Sequence, residues 1–245
     1  MQTSNPAFNE NLLSHFDHAG TRSTTMTVAG TAIKTGALLA LLVVSAGWAY
    51  NEALNNDLSF GVLMGSAIAG FVVGLVTIFK PTIAGWTAPV YAVLQGIALG
   101  AVSHMFDSRF PGIAIQAVGL TSATLFMMLF LYSTRIIRVT DKLATGIVAG
   151  LGAVMLIYLG TAIAHLCGVS VPYIHDSGPI GIGFSVVVVG LAAFSLLLDF
   201  DFIERGSLAG LPKSMEWYGA FGLIVTLIWL YREILRLLSK VQSRD

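Results

Sequence analysis

Charge is what this chain has least of. Asp, Glu, Lys and Arg make up 11% of its 245 residues, against about 25% in ordinary soluble domains. Thirteen basic residues cancel thirteen acidic ones, so no basic field exists to attract nucleic acid. Cysteine occurs once, as Cys167, which excludes an internal disulfide and any multi-cysteine metal centre. Neither a P-loop nor a Gly-x-Ser-x-Gly elbow is present, and with them go two sequence-legible routes to phosphoryl and acyl transfer. The first thirty residues contain no apolar stretch of signal-peptide type, so the first apolar segment is expected to direct insertion itself.

What the chain does have is hydrophobic residues, 56% of the total, gathered into seven segments of about twenty residues, the length that crosses a hydrocarbon core of roughly 30 Å. The segments are predicted as helices over residues 31–51, 58–79, 84–106, 112–134, 144–167, 179–200 and 215–238. Asn55-Asn56-Asp57, Lys80-Pro81, Phe110-Pro111-Gly112 and Ser177-Gly178-Pro179 punctuate the links. The expected fold class is therefore all-α, a polytopic membrane protein. A polar N-terminal tail (1–30) precedes a seven-helix transmembrane domain (31–238) and a basic C-terminal tail (239–245). Gly61/Gly65, Gly70/Gly74, Gly96/Gly100 and Gly146/Gly150 have the spacing that lets helix backbones approach closely.

Loops two, four and six carry Lys80, Arg135, Arg138, Lys142, Arg205 and Lys213, whereas loops one, three and five carry only Arg109. The positive-inside rule then places the N-terminus in the cytoplasm, and the expected location is the cell's inner (plasma) membrane. The last helix fits this pattern poorly. Its uninterrupted apolar run, Trp217 to Tyr231, reaches only about 22 Å. It either spans with its arginines snorkelling to the far interface, or enters without crossing and leaves the tail inside. On either reading this polar helix is expected inside the bundle.

Ionisable groups at membrane depth are costly and commonly mark a pathway. Asp199, Asp201 and Glu204 fall within six residues at the end of helix six, beside Arg205. A continuing helix puts Asp201 and Glu204 on one face and Asp199 elsewhere. The cluster reads either as a proton-sensitive, cation-attracting site or as a solvated end in which Arg205 neutralises Glu204. Glu216 opens helix seven on the same side, where a carboxylate also suits a helix N-terminus. Glu233 and Arg236 are spaced for a pair, and Gln95 stands midway along helix three. His104, His165, His175 and Asp176 map to the outer side without a recognisable metal-ligand spacing, so no metal site is expected.

Several stretches together resemble the Bax inhibitor-1 family (the transmembrane BAX inhibitor motif family), in its bacterial YccA-like branch. They are Ser4-Asn5-Pro6-Ala7-Phe8-Asn9, the run Met26 to Thr35, Pro89 to Gly100, Leu198 to Glu204, Glu216 to Leu223, and Trp229 to Leu238. The resemblance covers nearly the whole chain. It implies a central seventh helix wrapped by six others, and a pH-sensitive calcium leak controlled by two aspartates on helices six and seven. Under it Asp201 looks like the helix-six member. The helix-seven member falls at Thr226, a hydroxyl, and Gln95 stands where the family tends to carry a glutamate. A substitute set of Asp199, Asp201 and Glu216 is the expectation that follows.

The leading function expected is thus a passive, pH-modulated calcium leak, with the lipid bilayer as partner and calcium as a transiently held ion rather than a resident cofactor. The alternative is a non-conducting adaptor that binds other membrane proteins, such as a protease or translocase. No nucleophile–base pair or metal triad occupies a helix centre, so the chain is not expected to be an enzyme.

Overall fold

The computed structural model describes residues 25–55, 60–167 and 178–244. Within them lie seven long helices: α1 (Val28–Leu54), α2 (Phe60–Phe79), α3 (Ala84–Asp107), α4 (Ile113–Ser133), α5 (Asp141–Leu166), α6 (Pro179–Leu208) and α7 (Met215–Gln242). Helices α1 to α6 are each long and apolar enough to cross a membrane. The chain is a multi-pass membrane protein.

Local chemistry sets the helix ends. Thr27 caps α1, its hydroxyl accepting from the Gly30 amide at 2.9 Å. Pro81 opens a short 3-10 turn that leads into α3, a place where the absent N–H costs nothing. Gly112 takes a left-handed φ of 85° immediately before α4, and the Asp107 carboxylate accepts from the amides of Gly112 (2.9 Å) and Ala114 (3.3 Å). Pro179 begins α6. The α6–α7 turn passes through Gly210 at φ 66°.

α7 is the hub. It packs directly on α1, α3, α4 and α6, while α2 leans mainly on α3 and α5 on α6. Its buried residues, among them Glu216, Ala220, Ile224, Leu227, Leu230, Ile234 and Lys240, run the length of the helix and around it. Polar groups on a helix so enclosed are satisfied by protein rather than exposed to lipid, which is why a helix too polar to qualify as a span can still stand at the centre. Two apolar cores flank it. Leu196, Leu197, Leu230, Leu235 and Ile113 form one, and Leu38, Ala88, Tyr91, Phe221 and Ile224 the other.

α7 also crosses the whole bundle. Its first turn meets the start of α1 through Glu216 and Lys34. Near its last turn, Lys240 Nζ donates to the Gly181 carbonyl (3.0 Å) and the Ser185 hydroxyl (2.9 Å) at the start of α6. α7 thus runs the length of the bundle, and its late polar residues find partners on α5 and α6.

Three boundaries differ from expectation. α6 runs eight residues past Phe200, through the acidic cluster, held by an i, i+4 ion pair. α7 continues to Gln242, so 239–242 is helix rather than tail. At the other end, residues 25–30 are docked: the Met26 amide donates to the Leu211 carbonyl at 2.6 Å, and the Met26 side chain, 1% exposed, lies over Gly206 and Gly219. Residues 1–24, including the Ser4–Asn9 stretch, and the outer-loop residues His175 and Asp176 fall outside the described residues.

Candidate functional site

The continuous α6 helix separates its acids by direction. Successive residues turn by about 100°, so Asp201 and Glu204 face one side of the helix and Asp199 the other. Asp201 Oδ2 accepts from Arg205 Nε at 2.7 Å, one turn along. Glu204 reaches across to α4, where its carboxylate accepts from the Tyr132 hydroxyl and the Arg135 guanidinium. Arg205 therefore neutralises Asp201, not Glu204 as the charge pattern suggested. Adjacent residues on a helix diverge, whereas residues four apart stack, and Arg135 supplies the charge that Glu204 needs.

Asp199 is arranged differently. It points toward α7, where the Thr226 hydroxyl is the polar side chain beside its carboxyl. Its Oδ2 is buried and has no hydrogen-bond partner among the described residues. Gly222, one turn before Thr226, leaves room beside it: a Cβ there would sit 3.7 Å from Asp199 Oδ1. The helix-six residue that meets Thr226 is thus Asp199 and not Asp201, which the resemblance had selected. The two-residue difference swings the side chain through about 200°, from the solvated α6 surface to the α6–α7 seam.

Glu216 does not join this pair. It is 1% exposed and accepts from the Thr27 amide (3.0 Å), the Thr27 hydroxyl (2.9 Å) and Lys34 Nζ. Lys34 also lies 5.3 Å from the centre of the Trp217 ring. Ten residues separate Glu216 from Thr226, roughly 15 Å along the helix. The expected set of Asp199, Asp201 and Glu216 is therefore not assembled: each of the last two is held by its own cation. Gln95 packs over Gly70 of α2, where a Cβ would come within 2.9 Å of its amide nitrogen. That is the α2–α3 seam, not the α6–α7 seam of Asp199.

Sequence reading missed two tyrosines. Tyr132 bridges α4 to Glu204. Tyr158 of α5 donates to Glu233 Oε2 (3.2 Å) and accepts from Arg236 Nη1 (2.7 Å), while Arg236 also donates to Glu233 Oε1 at 3.2 Å. The Glu233–Arg236 pair was legible from its spacing, but Tyr158 was not, because it comes from another helix within an unbroken apolar run. Among the described residues, no three His, Cys, Asp or Glu side chains come together to hold a metal ion.

What the site can do follows from Asp199. It is a buried carboxyl group beside one hydroxyl, with no hydrogen-bonded cation among the described residues, and burying such a group is costly unless it gains a partner. The protein-family model described as Bax inhibitor 1 like matches residues 5–243. No curated protein matches the chain.

Proposed function

From the premise that the chain belongs to the Bax inhibitor 1 like family, we propose that it is a passive cation leak, with calcium as the ion, regulated by protonation of Asp199. It lies in the inner membrane with its N-terminus in the cytoplasm. The observation that carries this reading is the orphaned Oδ2 of Asp199 in the α6–α7 seam. The neutral acid suits that seam. The ionised one requires water or a cation, so rising pH favours loosening of α6 from α7 and entry of an ion. Asp201 and Glu204 stand at the same end, 21% and 28% exposed, each paired with an arginine, so Asp199 is the acid left to receive the ion. Calcium favours six to eight oxygens. Asp199, Thr226 and nearby carbonyls offer fewer, so the ion is held briefly and released, as conduction requires. No covalent chemistry and no resident cofactor form part of the proposal.

The test is calcium flux into liposomes between about pH 5.5 and 8.5. The parent protein is expected to leak more as pH rises, Asp199→Asn to lose that dependence, and Asp201→Asn to keep it. A parent protein that passes no calcium at any pH overturns the proposal. If it then co-purifies with a membrane protease or translocase, the adaptor role takes its place.

A further inference from the structure

A cavity of about 530 Å³ lies between α1, α3, α4 and α7, on the face of α7 turned away from Asp199. α1 and α4 both pack on α3 but not substantially on each other, so the cavity opens sideways between them, at the depth of the membrane-crossing segments. Its rim residues Val43, Ile115 and Val118 are 58%, 72% and 48% exposed. Its floor is Leu99 of α3 with Leu227 and Ile228 of α7, all buried. An apolar slot that opens into hydrocarbon is filled by hydrocarbon, since water gains no partners there.

The slot is not uniformly apolar. At one end its lining contains Ser103, Tyr231, Tyr50 and Asp107. Ser103 and Tyr231 share a hydrogen bond of 2.7 Å, and the Tyr50 hydroxyl donates to Asp107 Oδ2 at 2.9 Å. The His104 ring meets Tyr50 edge-on at 5.6 Å. Asp107 is the one charged residue of the lining, and no Lys or Arg is among them. This end lies opposite the Lys34–Glu216 end of the bundle, where α3 gives way to α4. A long apolar trough with a single carboxylate at an interfacial end matches an amphiphile with an apolar chain and a cationic, hydrogen-bond-donating head.

We infer that this groove is a lipid-binding site that seats one acyl chain of an aminophospholipid, whose ammonium group is held by Asp107. Its floor is the face of α7 opposite the Asp199 contact, so the bound chain buttresses the central helix. The inference does not depend on conduction, because it is read by retained lipid and not by flux.

Gly47 makes the test clean. It lines the groove, and a Cβ added there meets nothing within 4 Å. Gly47→Leu therefore begins its side chain in open space at the trough and replaces glycine in a helix with a better helix former. Gly152→Leu, on α5 and equally free of neighbours, is the control. The full-length protein is placed in phosphatidylcholine nanodiscs doped with either phosphatidylethanolamine or phosphatidylglycerol, and lipid retained after release into mild detergent is counted by native mass spectrometry. The parent and Gly152→Leu are expected to retain one phosphatidylethanolamine per chain, in preference to phosphatidylglycerol. Gly47→Leu is expected to lose at least tenfold of that retention while keeping the parent's helical circular dichroism. Asp107→Asn is expected to keep a lipid but lose the headgroup preference. Equal retention by Gly47→Leu and parent overturns the inference, as does indifference of the parent to headgroup. A parent that forms dimers which Gly47→Leu dissolves overturns it too, since the groove would then hold a second copy of the chain.

Discussion

At the scale of single residues, two carboxylates buried at nearly the same end of the bundle have opposite chemistry. Glu216 is saturated by one cation and two donors from Thr27; Asp199 has one hydroxyl. Removing Glu216's charge leaves Lys34, with only 17% of its side chain exposed, facing a neutral amide. Breaking a buried pair from one side costs about 3–5 kcal/mol, and partial exposure of Lys34 lowers this toward about 2–3 kcal/mol. Glu216→Gln should lower the unfolding free energy by about that amount in a detergent–denaturant titration, without changing the pH response of flux. Thr226→Asp should act on function instead. Two facing acids suppress each other's ionisation, so the pH midpoint of flux should move upward by about one unit or more. An unchanged midpoint in that variant would show that position 226 does not sense the state of Asp199. The existence of the acidic cluster was readable from residue types, but which acid faces α7 was not. That depended on α6 continuing as one helix past Phe200, and on a rotation of about 200° between positions two apart.

At the scale of elements, glycine decides how closely α1 and α3 approach. A Cβ on Gly100 would lie 2.1 Å from the Ala46 carbonyl oxygen, and one on Gly96 would lie 1.9 Å from Ser45 Oγ and 2.5 Å from the Leu42 carbonyl oxygen. The neighbours are largely backbone and cannot swing away. Gly100→Ala should therefore separate the two helices and cost more than the roughly 1 kcal/mol that alanine gains over glycine in a helix. A fall in thermal midpoint by several degrees relative to parent is expected. Gly36→Ala on α1, where nothing lies within 4 Å, should leave the midpoint unchanged or raise it. Spacing marked Gly65 and Gly146 as strongly as Gly96 and Gly100, yet an added Cβ meets nothing at the first two. A four-residue interval identifies a face able to approach closely, while the partner's position decides whether it does.

For the whole molecule, the consequential feature is that α7 crosses the bundle although its composition alone would not take it through a bilayer. The first turn of α7 meets α1, and its last turns meet the start of α6, so the two termini of the bundle lie on opposite sides. A reporter fused after Asp245 should be active on the side opposite an N-terminal one; equal localisation would refute the crossing of α7. Tyr158→Phe offers a second check on the central helix. It removes the hydroxyl between Glu233 and Arg236 and should cost about 1 kcal/mol, with the larger effect at the end of the bundle distant from Glu216.

The amino-acid sequence by itself determined that this is a membrane-embedded bundle of seven helices. Span length and hydropathy are local properties, and a bilayer converts them into architecture with few alternatives. It also marked α7 as an interior helix, because so polar a segment has nowhere else to go. Only the tertiary structure decided which polar groups meet. Asp199 finds Thr226, Glu216 finds Lys34, and Tyr158 finds Arg236, across helices that no interval along the chain relates. Helix rotation and neighbour identity are set by packing of the whole bundle, and a carboxylate's chemistry depends on what that packing places within 3 Å of it.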